Sequence, residues 1–199
     1  MSFFKKLFKD NKADEKPAQS TPSEEQVKAN VSVTEPSSAR TSPVRLAEQD
    51  ILLNQQITEK NEALKLIADR MLASGYVHQD YMPALLDREA KVSTYLINGV
   101  AIPHGAAEAK HLVVKTGIVV AQFPQGVIWN EKQEVVKLAV GIAANGNEHL
   151  EILTQLTSVV MNEALATRLG ETATAAEIAE ALGQEIVQAT TPVEDYAVK

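Results

Sequence analysis

Cysteine is absent from the 199-residue chain. That excludes a disulfide framework, thiolate metal sites and a cysteine nucleophile. Aromatic residues are scarce, at 5%. No run of apolar residues approaches the length that crosses a bilayer, so no membrane-spanning helix is expected. The opening "MSFFKKLFKD" has no continuous apolar region and no small-residue cleavage site, which argues against a secretory signal and makes a cytoplasmic location the expectation. Basic charge is also in deficit: the net charge is −7, which argues against a nucleic-acid partner. There is no glycine-rich phosphate loop and no serine nucleophile elbow.

What remains has the balance of an ordinary folded domain, 45% hydrophobic and 23% charged. A domain of ~150 residues buries about two thirds of its unfolded surface, so a core needs no staples. The charge is uneven. Residues 1–12 carry four lysines and one aspartate, leaving 15 basic against 25 acidic residues in the remainder. Residues 11–44 hold four of the eight prolines among Ser, Thr, Glu, Gln and Lys, without aromatics or apolar periodicity. Such a segment cannot bury enough to offset its ordering entropy and is read as a disordered linker. The domain is expected over residues 45–184, followed by a flexible tail at 185–199.

Within the domain the pattern alternates. Thr58 is placed to cap a helix in which Ala63, Leu64, Ile67, Ala68, Met71 and Leu72 form one face, ending at Gly75. A second helix follows Asp80, with Pro83 in its first turn, where a missing N–H costs little. Three strands are expected, at 94–102, 116–123 and 135–143. The last is nearly all apolar, as in a strand covered on both faces. Asn147 should cap a helix turning Leu150, Leu153, Leu156, Val159 and Val160 inward. Asn162 should start a short one, and Thr174 with Glu177 should form a capping box for the last. Helices, then strands, then helices imply an α/β fold: a mixed β-sheet flanked by helices in a single domain.

The chemistry centres on histidine. His78 and His111 lie in polar connections and read as solvated. His104 ends an apolar strand in "AIPHG", where proline, histidine and glycine are all poor strand residues. His149 lies in the first turn of a helix, whose free N–H groups and dipole favour anions. Two readings stand at this level. Either the two imidazoles meet and hold a phosphoryl group between them, or His104 satisfies a strand-end carbonyl and His149 caps its helix. A zinc site is the poorer third reading, because no His-x-x-x-His or paired-carboxylate spacing supplies a further ligand.

The stretches "LLDREAKVSTYLINGVAIPHG", "VVKTGIVVAQFPQGVIW" and "VGIAANGNEHLEILTQLTSVV" occur in that order. Together they resemble the fructose/mannitol class of enzyme IIA, the type-2 EIIA phosphocarrier domain of the bacterial sugar phosphotransferase system (PTS). The resemblance runs from about Leu46 to Gly183. It implies that His104 accepts a phosphoryl group from the histidine-containing phosphocarrier HPr and passes it to a cysteine of an enzyme IIB domain. It further implies that His149 lies beside the phosphorylated ring and that Arg88, from the "RE" motif, lies near the same pocket. No cofactor or metal is implied. The alternative is a nitrogen-type regulatory IIA, which shares "AIPHG" but departs from "NEHL" and would act by phosphorylation-dependent partner binding. No stretch resembles an HPr-like, IIB or membrane IIC domain, so the expectation is a separate IIA with an added arm.

That arm has its own pattern. Phe3, Phe4, Leu7 and Phe8 fall on one helical face beside Lys5, Lys6, Lys9 and Lys12. An amphipathic helix at residues 1–10 would make weak, peripheral contact with the inner face of a membrane. The competing readings are a disordered start and a docking segment for a protein.

Overall fold

In a computed structural model of the protein, residues 46–146, 148–183 and 186–187 are described. The expectations for residues 1–10 and 11–44, for the Asn147 cap and for most of the 185–199 tail therefore lie outside the described residues.

Two long strands form the centre. β1 (Leu46–Ala47), a 3-10 turn and β2 (Ile51–Leu52) lead into helices α1 (Lys60–Ala73) and α2 (Tyr81–Lys91). β3 (Val100–Ala101), β4 (Gly117–Ile128) and β5 (Val135–Ala143) follow. α3 (Glu148–Val160), α4 (Glu163–Glu171), α5 (Ala175–Ala181) and β6 (Ile186–Val187) complete the order. The main sheet runs β2-β4-β5-β3, and β1 pairs with β6 apart from it. β4 and β5 are antiparallel, while the flanking β2 and β3 pair in parallel, so the sheet is mixed, as expected.

Both faces of this sheet are covered, which is why its long strands read as almost continuously apolar. Ile118, Val120, Leu138, Val140 and Ile142 face one cluster with Ile152, Leu156 and Val159 of α3 and Leu169 of α4. Their alternates Val119, Ala121, Phe123 and Ala139 face Leu64, Ile67 and Met71 of α1 and Leu85 of α2. Each fully buried large apolar side chain contributes about 1.5–3 kcal/mol. The small residues on the second face let α1 lie close.

Some local expectations fail for identifiable reasons. The N-cap of α1 is Glu59 in extended conformation with no side-chain cap bond, so Thr58 does not cap it. On α3 it is Ile152 that is buried and Leu150 that is 40% exposed, because the inward stripe is rotated from the expected one. β4 continues past Phe123 to Ile128, with a register shift between Gln122 and Val127 that accommodates Pro124, a residue without a ladder donor. The segment 94–102 is not one strand. It folds back at Asn98 and Gly99, which have φ of 55° and 74°, the left-handed pair of a two-residue hairpin turn. Leu96 N donates to Val100 O at 2.9 Å and Ile102 N to Thr94 O at 3.1 Å across that hairpin. The Asn98 side chain fastens the turn to the end of α3 through Val160 O, at 2.9 Å. The caps of the last two helices form as read: Asn162 accepts from Leu165 N, and Thr174 and Glu177 make the reciprocal box.

A buried polar cluster holds the start of the domain. Asp50 is fully buried, and its Oδ1 accepts from Arg70 Nε at 2.6 Å. The Ser74 hydroxyl and the Tyr76 phenol donate to the same carboxylate. Burial, reinforced by the Asp50 hydrogen bond and charge, pushes the Tyr76 phenol far above its ordinary pKa. Nothing in the local sequence pattern announces this cluster, whose members are joined across α1.

Candidate active site

The hairpin returns the chain along β5, and this sets the site. Ile142 N donates to Pro103 O at 2.9 Å, placing His104 beside Ile142 where the parallel pairing ends. His104 Nδ1 lies 2.7 Å from the carbonyl oxygen of Ile102, two residues back. A carbonyl has no proton to give, so Nδ1–H is the donor and the free lone pair stands on Nε2. One tautomer is held by the strand itself. Pro103 and Gly105, which puzzle as strand residues, flank the ring where the ladder stops.

His149 enters from the first turn of α3. Its ring centroid is 5.0 Å from that of His104, with the planes inclined at 58°. The two imidazoles that the sequence places 45 positions apart are therefore neighbours, and His104 also satisfies a strand-end carbonyl, that of Ile102. Arg88, near the C-terminal end of α2, donates from Nη1 to Val92 O at 2.6 Å. That uses one of five guanidinium donors. Its charge is felt at both histidines. His78 and His111 are exposed, as expected; His111 Nδ1 bonds Glu108 O at 2.9 Å.

Burial, the largest influence, drives the His104 pKa down to about 4, helped by the charges of His149 and Arg88 and opposed by the Ile102 hydrogen bond. Burial also lowers the pKa of His149, with Lys110 and Arg88 adding to the effect. Both rings are thus poised as neutral imidazoles at neutral pH. The unfolded ring takes its proton near pH ~6.5, the folded one only near 4. The contribution of His104 to stability is present above about pH 6.5 and is lost as pH falls through about 4. An NMR titration of the His104 ring is expected to show a midpoint near 4. A midpoint in the ordinary histidine range would contradict this.

Two residues here escaped the sequence reading. Lys110, in the 3-10 segment Ala107–Leu112, reads as one more charge in a polar connection, yet it acts electrostatically on His149. Tyr81, at the start of α2, is not singled out by the sequence pattern, but its hydroxyl accepts from Gly105 N at 2.8 Å. Among the described residues, no group of three His, Cys, Asp or Glu is placed to hold a metal ion.

A neutral ring nitrogen with its proton locked on the far side, facing a second imidazole and influenced by two cations, is suited to carry a phosphoryl group. The comparisons agree with that class. The chain belongs to the EIIA 2 family of the phosphoenolpyruvate-dependent sugar phosphotransferase system, which matches residues 45–185. Over 146 residues it is 42% identical to the mannitol-specific EIICBA component of Pasteurella multocida (strain Pm70), covering 72% of this chain and 23% of that one. Over 134 residues it is 44% identical to the multiphosphoryl transfer protein of Salmonella typhi, covering 67% and 35% respectively. The chain thus spans between 23% and 35% of the length of these curated relatives. Among solved structures it resembles enzyme IIA mannitol of Escherichia coli in its complex with phosphorylated enzyme IIB mannitol. The TM-score is 0.66 at 37% identity, covering 70% of this chain and 98% of that one.

Proposed function

We propose that the protein is a phosphocarrier in which His104 Nε2 accepts a phosphoryl group from HPr or an HPr-like donor and passes it to a sugar-specific enzyme IIB. The observation that carries this is the Nδ1–H bond to Ile102 O, at 2.7 Å, which leaves Nε2 as the nucleophile. The Nε2 lone pair attacks phosphorus in line, and the bond from phosphorus to the donor's histidine nitrogen breaks, its electron pair returning to that nitrogen. The proton stays on Nδ1, so the product ring is a phosphorylated imidazolium and no base is needed. Its positive charge keeps the new N–P bond reactive toward the next acceptor, a thiolate on IIB. Such a transfer rests on positioning and on neutralising charge at three equatorial oxygens. His149 as hydrogen-bond donor and Arg88 as cation fill that role.

The mannitol names of relatives near 40% identity support mannitol, one of the two sugars expected, over the nitrogen-regulatory alternative. The complex with phosphorylated IIB formed by the similar Escherichia coli domain supports IIB as acceptor. Among the described residues no helix is long and apolar enough to cross a membrane. We place the domain in the cytoplasm, over residues 45–184, with the tail at 185–199. Residues 11–44 would then tether it to a membrane contact made by residues 1–10, raising the local concentration for transfer.

Incubation with labelled phosphorylated HPr followed by peptide mapping tests the central step. The label is expected on the peptide containing His104, stable to base and lost in acid, as a phosphoramidate is. Stable label on any other peptide would overturn the assignment.

A further inference from the structure

The strand that presents His104 does not finish its ladder in the regular way. Where two parallel strands pair about a residue, the partner donates to the carbonyl before it and accepts from the N–H after it. At His104 the first bond is present, from Ile142 N to Pro103 O at 2.9 Å. The second is interrupted. Gly105 N donates instead to the Tyr81 hydroxyl, at 2.8 Å, and that hydroxyl donates onward to Ile142 O, at 3.3 Å. A phenol oxygen thus bridges the two strands immediately after the reactive ring.

Tyr81 is only 2% exposed and belongs to the stripe of α2 that packs on the sheet with Leu85. The fit at its tip is close: a Cβ on Gly105 would stand 2.9 Å from Tyr81 Cε2 and 3.0 Å from its hydroxyl. Glycine is what lets the hydroxyl reach the backbone there. The contact is made from a rigid helix rather than a loop, so it fixes where the strand parts from β5.

The geometry points to Tyr81 as a positioning residue for phosphoryl transfer, its hydroxyl bridging Gly105 N to Ile142 O so that the ring is presented with its Nδ1 bond intact. This deepens the proposed function and rests on it. In a Tyr81→Phe variant, Gly105 N–H loses its acceptor and is free to close onto Ile142 O, drawing the backbone beside His104 with it. Misplacement of a reacting group by about 1 Å costs up to about 10²-fold in rate.

Two readouts on the full chain test the idea. In single-turnover transfer from phosphorylated HPr, Tyr81→Phe is expected to lower the rate at saturation about 10- to 100-fold. The half-saturating donor concentration should stay near the wild-type value, because a buried residue does not touch the donor. In two-bond proton–nitrogen NMR spectra without donor, wild-type His104 is expected as the single Nδ1–H tautomer and the variant as shifted or mixed. A wild-type saturating rate, or unchanged His104 ring signals, would overturn the assignment. If Tyr81→Phe fails to fold, Gly105→Ala takes its place; its methyl displaces the phenol and should give the same two changes, and unchanged values would again overturn it. The spectra need no phosphoryl donor, so they judge Tyr81 even if wild-type His104 takes no label, the result that would remove the functional reading itself.

Discussion

A His104→Ala variant is expected to fold and to take no phosphoryl group, while His149→Ala folds and transfers about 10²–10³-fold more slowly. The two differ because their proposed roles differ. In the proposed transfer, removing His104 removes the atom that forms the bond, and among the described residues His104 is the neutral imidazole of the pair whose free Nε2 is set by the Ile102 bond. Its loss leaves one partly exposed strand end without a ring, a small structural perturbation. Removing His149 takes away one donor 5.0 Å from the reacting ring, measured between centroids, and leaves the nucleophile in place. Arg88→Ala should show a smaller loss of the same kind, since its guanidinium is partly exposed and screened by solvent. Quenched-flow transfer from phosphorylated HPr, then onward to a IIB domain, measures all three. Wild-type rates in His149→Ala would remove that residue from the mechanism.

The second large effect is on stability. Asp50→Ala should destabilise the domain by about 3–5 kcal/mol, the range for removing one partner of a buried ion pair. The carboxylate is fully buried and accepts from Arg70, Ser74 and Tyr76. Without it a partly buried guanidinium and a buried phenol lose their acceptor together. For a domain of this size the midpoint of thermal unfolding should fall by about 10 °C. A urea titration showing a loss below about 1 kcal/mol would mean that water or another group replaces the carboxylate.

The sequence and the structure agree best where a pattern is long and local. β5 occupies the residues expected, and the Thr174–Glu177 box forms, because alternation and capping are written within a few positions. The hairpin at Asn98–Gly99 was legible in principle, since Asn-Gly is a strong two-residue turn signal, but the apolar run on both sides reads as one strand. β1, β2, β3 and β6 are each two residues long, too short to carry any period. The site divides the same way. His104 and His149 stand out as histidines at element ends, and the resemblance brings Arg88 with them. Tyr81 leaves no trace, because its partners Gly105 and Ile142 lie 24 and 61 positions away and its own surroundings are those of a core aromatic.

The anchor of the His104 ring lies on Ile102, within the same strand. The ring's orientation therefore travels with its own backbone and asks nothing of a docked protein. In the proposed relay, a donor and an acceptor that arrive in turn meet the same prepared atom, and neither must spend binding energy on rearranging it. For the proposed transfer, the reactivity of the N–P bond is then handed on rather than dissipated in conformational change. The direction of flow is then left to the partners' relative phosphorylation.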